Sequence, residues 1–295
     1  MKTVLTLFIF FIATLTANAT SQSGDILIWK GDTLTLFSNP LEMRPDWKKL
    51  HNIIIAELEK EDQRLYPQKY KGEVEELGST ACSRGYTVEW KIVDDKIYLN
   101  NIYACFDRKV KINLKKLFYK EFSFDLLFAK WINGKLFVPK GKCIEWVNFG
   151  YKSIFENEIV LEFKEGVLKE TTSYSNYIKK SSKFTLDQHL DYLDFIYSHV
   201  NWEKLPDLKD YHYQVFVGIQ PTNEGAIDSI LWKYTYMIYG AKEITDRNNV
   251  FIKEAVRIAK LMPDWDVIYQ RDSIVARGIS VVFDKYSKKK YMHKK

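Results

Sequence analysis

The sequence predicts an α+β protein, with a β-rich first part followed by a small domain built strand, strand, helix, strand. Three observations predict it. Tyr86, Val88, Trp90 and Ile92 alternate with Thr87, Glu89 and Lys91, the period-two pattern of a strand buried on one face. Ile252, Ala255, Val256, Ala259 and Met262 recur at helical spacing. Two alternating runs, 212–219 and 226–233, flank the turn sequence Pro221-Thr222-Asn223-Glu224-Gly225, and a third follows at 276–284.

In chain order, Lys2, the apolar run Val4–Leu15 and Ala17-Asn18-Ala19 have the layout of a cleaved secretory leader. The run is too short to span a bilayer comfortably. The mature chain is expected to begin at Thr20 and to be periplasmic or otherwise exported, with an uncleaved anchor as the rival reading. Trp29–Leu36 contains a Lys-Gly-Asp turn and reads as a hairpin or edge strand. Leu50, Ile54 and Leu58 share one face of a helix that Asp46 can cap. Asp94-Asp95 turns the Tyr86–Ile92 strand back into Ile97-Tyr98-Leu99. Asn133-Gly134 between 129–132 and 135–139 predicts a second hairpin, and Lys164-Glu165 joins a third. Thr172–Ser182 reads as a polar surface loop. Thr185–Val200 reads as a helix, with Thr185 and Gln188 at capping-box spacing. Asn248 is the expected cap and Pro263 the stop of the helix over Val250–Met262. The lysine-rich end, Lys285–Lys295, reads as a solvated tail.

This reading divides the chain into a leader (1–19), a β-rich domain (20–171), a helical linker region (172–210), a small domain (211–285) and a basic tail (286–295). The formal charge is +6. Much of the excess sits in the tail, and no nucleic-acid partner is expected of an exported chain. An oxidising compartment permits one disulfide among three cysteines. Cys82 and Cys105 border the first hairpin and are the best candidate pair, with two buried thiols as the alternative. Cys143 is left over.

Little points to chemistry. No G-x-S-x-G elbow or H-E-x-x-H helix occurs, and the five histidines sit in no recognised motif. Asp187, Asp191 and Asp194 with His189 and His199 form the one cluster that invites a metal reading. The two histidines are too far apart for one local helical site, and a solvated acidic face explains them. Arg84 and Glu89 are read as a solvated surface pair. No catalytic residue, metal site or cofactor is expected.

Two resemblances add to this. Cys82-Ser83-Arg84-Gly85-Tyr86 with Trp90, Ile97-Tyr98-Leu99, Trp131-x-x-Gly134-x-Leu136, Pro139-x-Gly141, Gly150-Tyr151 and Glu156 to Gly166 resemble an uncharacterised bacterial β-rich domain over residues 78–170. It implies one β-rich unit and no activity. Ala255-Val256-Arg257-x-x-Lys260-Leu261-Met262-Pro263-x-Trp265, with Val281-Val282-Phe283 closing the last strand, resembles the C-terminal domain of TonB-type energy transducers over 211–285. That family pairs a strand with a short segment of an outer-membrane transporter. The resemblance implies partner contacts on the edge of the last strand, at Ala276, Ile279, Val281 and Phe283. The family's Pro-Gly-rich segment is replaced here by Asp266–Gln270, and there is no Pro-rich spacer, so energy transmission by this chain alone is not expected.

The expected function is therefore an exported, non-enzymatic binding or scaffold protein of the envelope. An envelope protein is its expected partner through the strand edge, with a homodimer as the other option. An accessory role in TonB-dependent uptake is the first alternative. A hydrolase with a site assembled from distant residues is the second.

Overall fold

A computed structural model describes residues 22–69, 80–105, 107–122, 127–147, 150–182, 189–208, 211–237, 242–244, 246 and 248–292. The leader and its cleavage point, and Thr185 with Gln188, lie outside them. The protein is α+β, with a β-rich region followed by a smaller region of helices and strands. It forms two compact units. The first holds the described residues up to Pro139 together with Glu145–Ser153 and Val160–Thr171; the second holds Lys140–Ile144, Ile154–Ile159 and the chain from Thr172 onward.

The first unit opens with β1 (Asp25–Trp29) and β2 (Asp32–Leu36), joined at Lys30 and Gly31, both at positive φ. This is the expected hairpin. Helix α1 (Trp47–Leu65) buries Leu50, Ile54 and Leu58, the expected stripe, and adds Asp62. Asp46 stands at its N-cap, but its carboxylate accepts from Arg44 and makes no cap bond. Strands β3 (Tyr86–Val93) and β4 (Lys96–Ala104) pair antiparallel. Their turn residues, Asp94 at φ 47° and Asp95 at φ 58°, take the mirror-image turn that matches strand twist. Then come β5 (Asp107–Lys111), the single turn α2 (Leu114–Leu117), β6 (Leu127–Phe128), β7 (Gly134–Glu145), β8 (Ile154–Lys164) and β9 (Val167–Ser175). The sheet order is β2-β1-β3-β4-β9-β8-β7, with β5 and β6 each paired to β4. β7, β8 and β9 carry residues of both units.

The Asn133-Gly134 hairpin does not form. Residues 129–132 make a turn rather than a strand. The Asn133 Oδ1 instead accepts from the Glu165 N–H at 2.8 Å, so Asn133 braces the β8–β9 turn. That turn, at Glu165 and Gly166, joins the two strands one residue later than the Lys164-Glu165 join expected.

In the second unit the polar 172–182 stretch is not a loop. β9 runs to Ser175, and β10 (Tyr177–Lys180) pairs with a later strand. Alternating Thr, Tyr and Ser suit a pleated surface however polar they are. Helix α3 (His189–Ser198) follows, then β11 (Tyr213–Pro221), β12 (Ile227–Met237), β13 (Lys242–Ile244) and helix α4 (Val250–Leu261). The short strands β14 (Val267–Gln270) and β15 (Ser273–Ile274) form a sheet ordered β10-β14-β15, in which Tyr177 stacks on Tyr269 at 5.0 Å. Last come β16 (Arg277–Phe283) and helix α5 (Lys285–Met292).

The main sheet of this unit is ordered β13-β12-β11-β16, and α4 packs on one face. Asn249, not Asn248, caps α4; its side chain accepts from the Ile252 N–H. The buried stripe is Phe251, Ile252, Ala255, Ile258, Ala259 and Met262, so Ile258 takes the place expected for Val256, which is half-buried at the margin. The stripe meets Val215, Val217 and Ile219 of β11 and Ile279, Val281 and Phe283 of β16. As far as Met292 the basic end is helical. Tyr291 is buried against Tyr197, and its hydroxyl donates to Asp194, so α5 docks by one aromatic anchor. No described helix is long and apolar enough to cross a membrane.

Candidate functional site

Strand β16 is one terminal strand of the β13-β12-β11-β16 sheet. It pairs with β11 in unbroken register from Tyr213↔Phe283 to Ile219↔Arg277, and with no other strand among the described residues. Backbone direction follows from one contact: the Val282 N–H donates to the Tyr197 hydroxyl of α3 at 3.3 Å, away from β11. In an antiparallel pair the N–H and C=O of one residue point the same way and alternate along the strand. Gly278, Ser280 and Val282 therefore face the edge, while Ile279, Val281 and Phe283 face β11. Tyr197 occupies the Val282 position, which leaves Gly278 and Ser280 as the open stretch. The other terminal strand, β13, has three residues.

The residues expected to touch a partner divide. Ala276 is exposed and lies just before β16. The side chains of Ile279, Val281 and Phe283 are core, at 3% exposure or less. Their backbone groups also point at β11. The helix anchor Tyr197 gave no sequence signal of its role.

The sheet face away from α4 carries an aromatic cluster. Phe216 stacks on Tyr234 at 5.0 Å and Trp232 on Tyr234 at 5.6 Å. Gln214 donates to the Ser280 hydroxyl at 2.9 Å. The Trp232 indole lies directly over Gly218, where a Cβ would meet it at 2.0 Å.

The polar groups of the first unit are bound internally. Arg84 does not pair with Glu89. It pairs with the fully buried Asp25, which also accepts from the Val88 N–H at 3.0 Å and from Trp90 Nε1 at 2.9 Å. Glu89 lies on the opposite side of β3 and accepts from Asn101 at 2.8 Å and from Asn100 at 2.5 Å. Asp25 has no sequence signal of this role; the parallel pairing of β1 with β3 brings it to Arg84. Burial pushes the Asp25 carboxyl above its ordinary value against the pull of Arg84 and its hydrogen bonds. Burial likewise raises the Tyr151 phenol to about 12 and moves Tyr86 upward. Asn39 accepts from both Arg84 and Tyr151 at 2.7 Å. A cleft of about 290 Å³ opens beside Thr35, Thr87, Tyr103 and Arg108.

Cys82 and Cys105 form a disulfide with Cα atoms 6.2 Å apart. Cys143 is exposed as a thiol. Among the described residues no group of three or more His, Cys, Asp or Glu side chains is placed to hold a metal ion. No protein family, curated protein or solved structure matches this chain.

Proposed function

We propose that the protein is an exported, non-enzymatic binding protein that takes up an extended segment of an envelope partner along the edge of β16. The observation that carries this reading is the edge itself: Gly278 and Ser280 present N–H and C=O groups outward from a terminal strand whose side chains are anchored in the core. Main-chain pairing supplies affinity in this mode of recognition, and a rigid template lowers its entropic cost. Tyr197 limits the register by closing one end.

Other observations favour binding over catalysis. The buried carboxylates among the described residues serve structural bonds: Asp25 to Arg84, Asp62 to Lys69, Glu89 to two asparagines, Glu158 to Arg271, and Glu254 to Arg257 and the Asn201 N–H. The leader-like N-terminus and the Cys82–Cys105 bond both suit an oxidising, extracytoplasmic compartment.

Ser280→Pro tests the proposal. Proline at this position removes an edge-facing N–H and spares the β11 ladder, as prolines on natural edge strands do. The variant should stay folded and lose binding to extended peptides that the native chain captures. Equal capture by both proteins would defeat the reading.

A further inference from the structure

We infer that the β16 edge selects a segment carrying an aromatic residue opposite Gly278, stacked against the outer rim of Trp232. The inference rests on strand addition at β16 and adds what that edge recognises.

Trp232 starts on β12 and reaches across two strands. Its Cε2 and Cδ2 lie 2.0 and 2.4 Å from where a Gly218 Cβ would stand on β11, and its Cη2 lies 3.3 Å from the same point at Gly278 on β16. Both positions are glycine, and neither needs a positive φ. Space for the indole, rather than backbone freedom, is therefore what glycine supplies at both. Covering Gly218 is a familiar stabilising use of an aromatic ring on a sheet. It accounts for the inner half of the ring. The outer half extends over the edge strand, and Trp232 remains 44% exposed.

An added strand would lie about 4.8 Å beyond β16. Gly278 faces that edge, so the residue opposite it forms a hydrogen-bonded pair and projects its side chain from the same face as the indole. Gly278 has no side chain to intervene. A ring at that position reaches the indole rim within the 4.5–7 Å range of favourable aromatic pairs. The neighbouring face residues Gln214, Phe216, Tyr234 and Ser280 carry no charge, which gives a lysine or glutamate there nothing to pair with. Selectivity for an aromatic ring follows.

The probe is an immobilised set of short Thr/Ser/Val host peptides in which a single tryptophan is moved one position at a time. Binding to the native protein should rise about three- to tenfold at alternate positions. Trp232→Ala should flatten the scan and leave host-peptide binding in place. Gly278→Ala, whose methyl would stand 3.0 Å from the Val217 carbonyl and 3.3 Å from the rim, should flatten it as well and serves, once shown to be folded, if Trp232→Ala folds poorly. A flat scan with the native protein, or an alternating scan that persists in both variants, overturns the inference and leaves strand addition standing. Absence of peptide binding, or binding that survives Ser280→Pro, overturns strand addition and the inference with it.

Discussion

Replacing Arg84 with methionine removes the counter-charge of a carboxylate that has no access to solvent. Asp25 is fully buried, and the Arg84 side chain is only 10% exposed. Breaking such a pair from one side costs about 3–5 kcal/mol, because the remaining charge is left in a low-dielectric interior. Arg84 also donates to the Tyr86 carbonyl at 2.8 Å and to Asn39 at 2.7 Å. Losing each adds about 1 kcal/mol, so the total falls near the upper end. That approaches the whole stability of a modest domain. The pH dependence is specific. Burial already raises the Asp25 pKa, and without Arg84 it rises further. A raised acid destabilises the fold once pH exceeds its unfolded value, so the penalty relative to the native protein is largest at pH 7 and shrinks toward pH 4. Adding Asp25→Asn should recover at least half of the loss, since the amide oxygen still accepts from Val88 or Trp90. Native-state hydrogen exchange of peptides spanning β3 reads this unit alone. A loss under about 1 kcal/mol at pH 7, or one that does not shrink on acidification, would refute the reasoning.

Non-reducing peptide mapping of the protein should recover Cys82 and Cys105 in one linked peptide, and Cys82→Ser should cost about 3 kcal/mol for a crosslink 23 residues apart. Gly218→Ala should destabilise the second unit by about 1–3 kcal/mol through the clash with Trp232. The same change in a Trp232→Ala background should cost far less, a coupling that a double-mutant cycle measures. Glu254 is pulled upward by burial, but its bonds from Arg257 and the Asn201 N–H outweigh this and hold its pKa below the ordinary glutamate value. Its contribution is therefore present above about pH 4.5 and lost as pH falls through the lowered folded value. Glu254→Gln should cost about 1–2 kcal/mol at pH 7 by thermal unfolding and nearly nothing in strong acid.

Local pattern made much of this fold legible. The Asp94-Asp95 turn and the Leu50–Leu58 stripe rest on near neighbours, where period and turn chemistry suffice, whereas strands β13, β14 and β15 interrupt the expected strand-strand-helix-strand order. Readings that depended on distant pairing failed. Asn133-Gly134 has a strong hairpin signal, yet Asn133 is recruited to Glu165 across the fold. The Thr172–Ser182 stretch looked like a loop because its partner, Val267–Gln270, lies far along the chain. Arg84 and Glu89 read as a solvated surface pair, whereas the parallel β1–β3 pairing brings Arg84 to the buried Asp25. At β16, spacing does not report which parity of backbone groups faces away from β11. A single tyrosine on α3 decides that, and no spacing rule reports it.

Residue-resolved amide exchange along β16 tests the central claim most directly. In the free protein the Gly278 and Ser280 amides should exchange fast, while Ile279, Val281 and the Tyr197-bound Val282 exchange slowly. On addition of a peptide captured by the native chain, Gly278 and Ser280 should become protected with the rest of the strand unchanged. Protection of Gly278 and Ser280 in the free protein, or exchange there that a bound peptide leaves unaltered, would contradict the account.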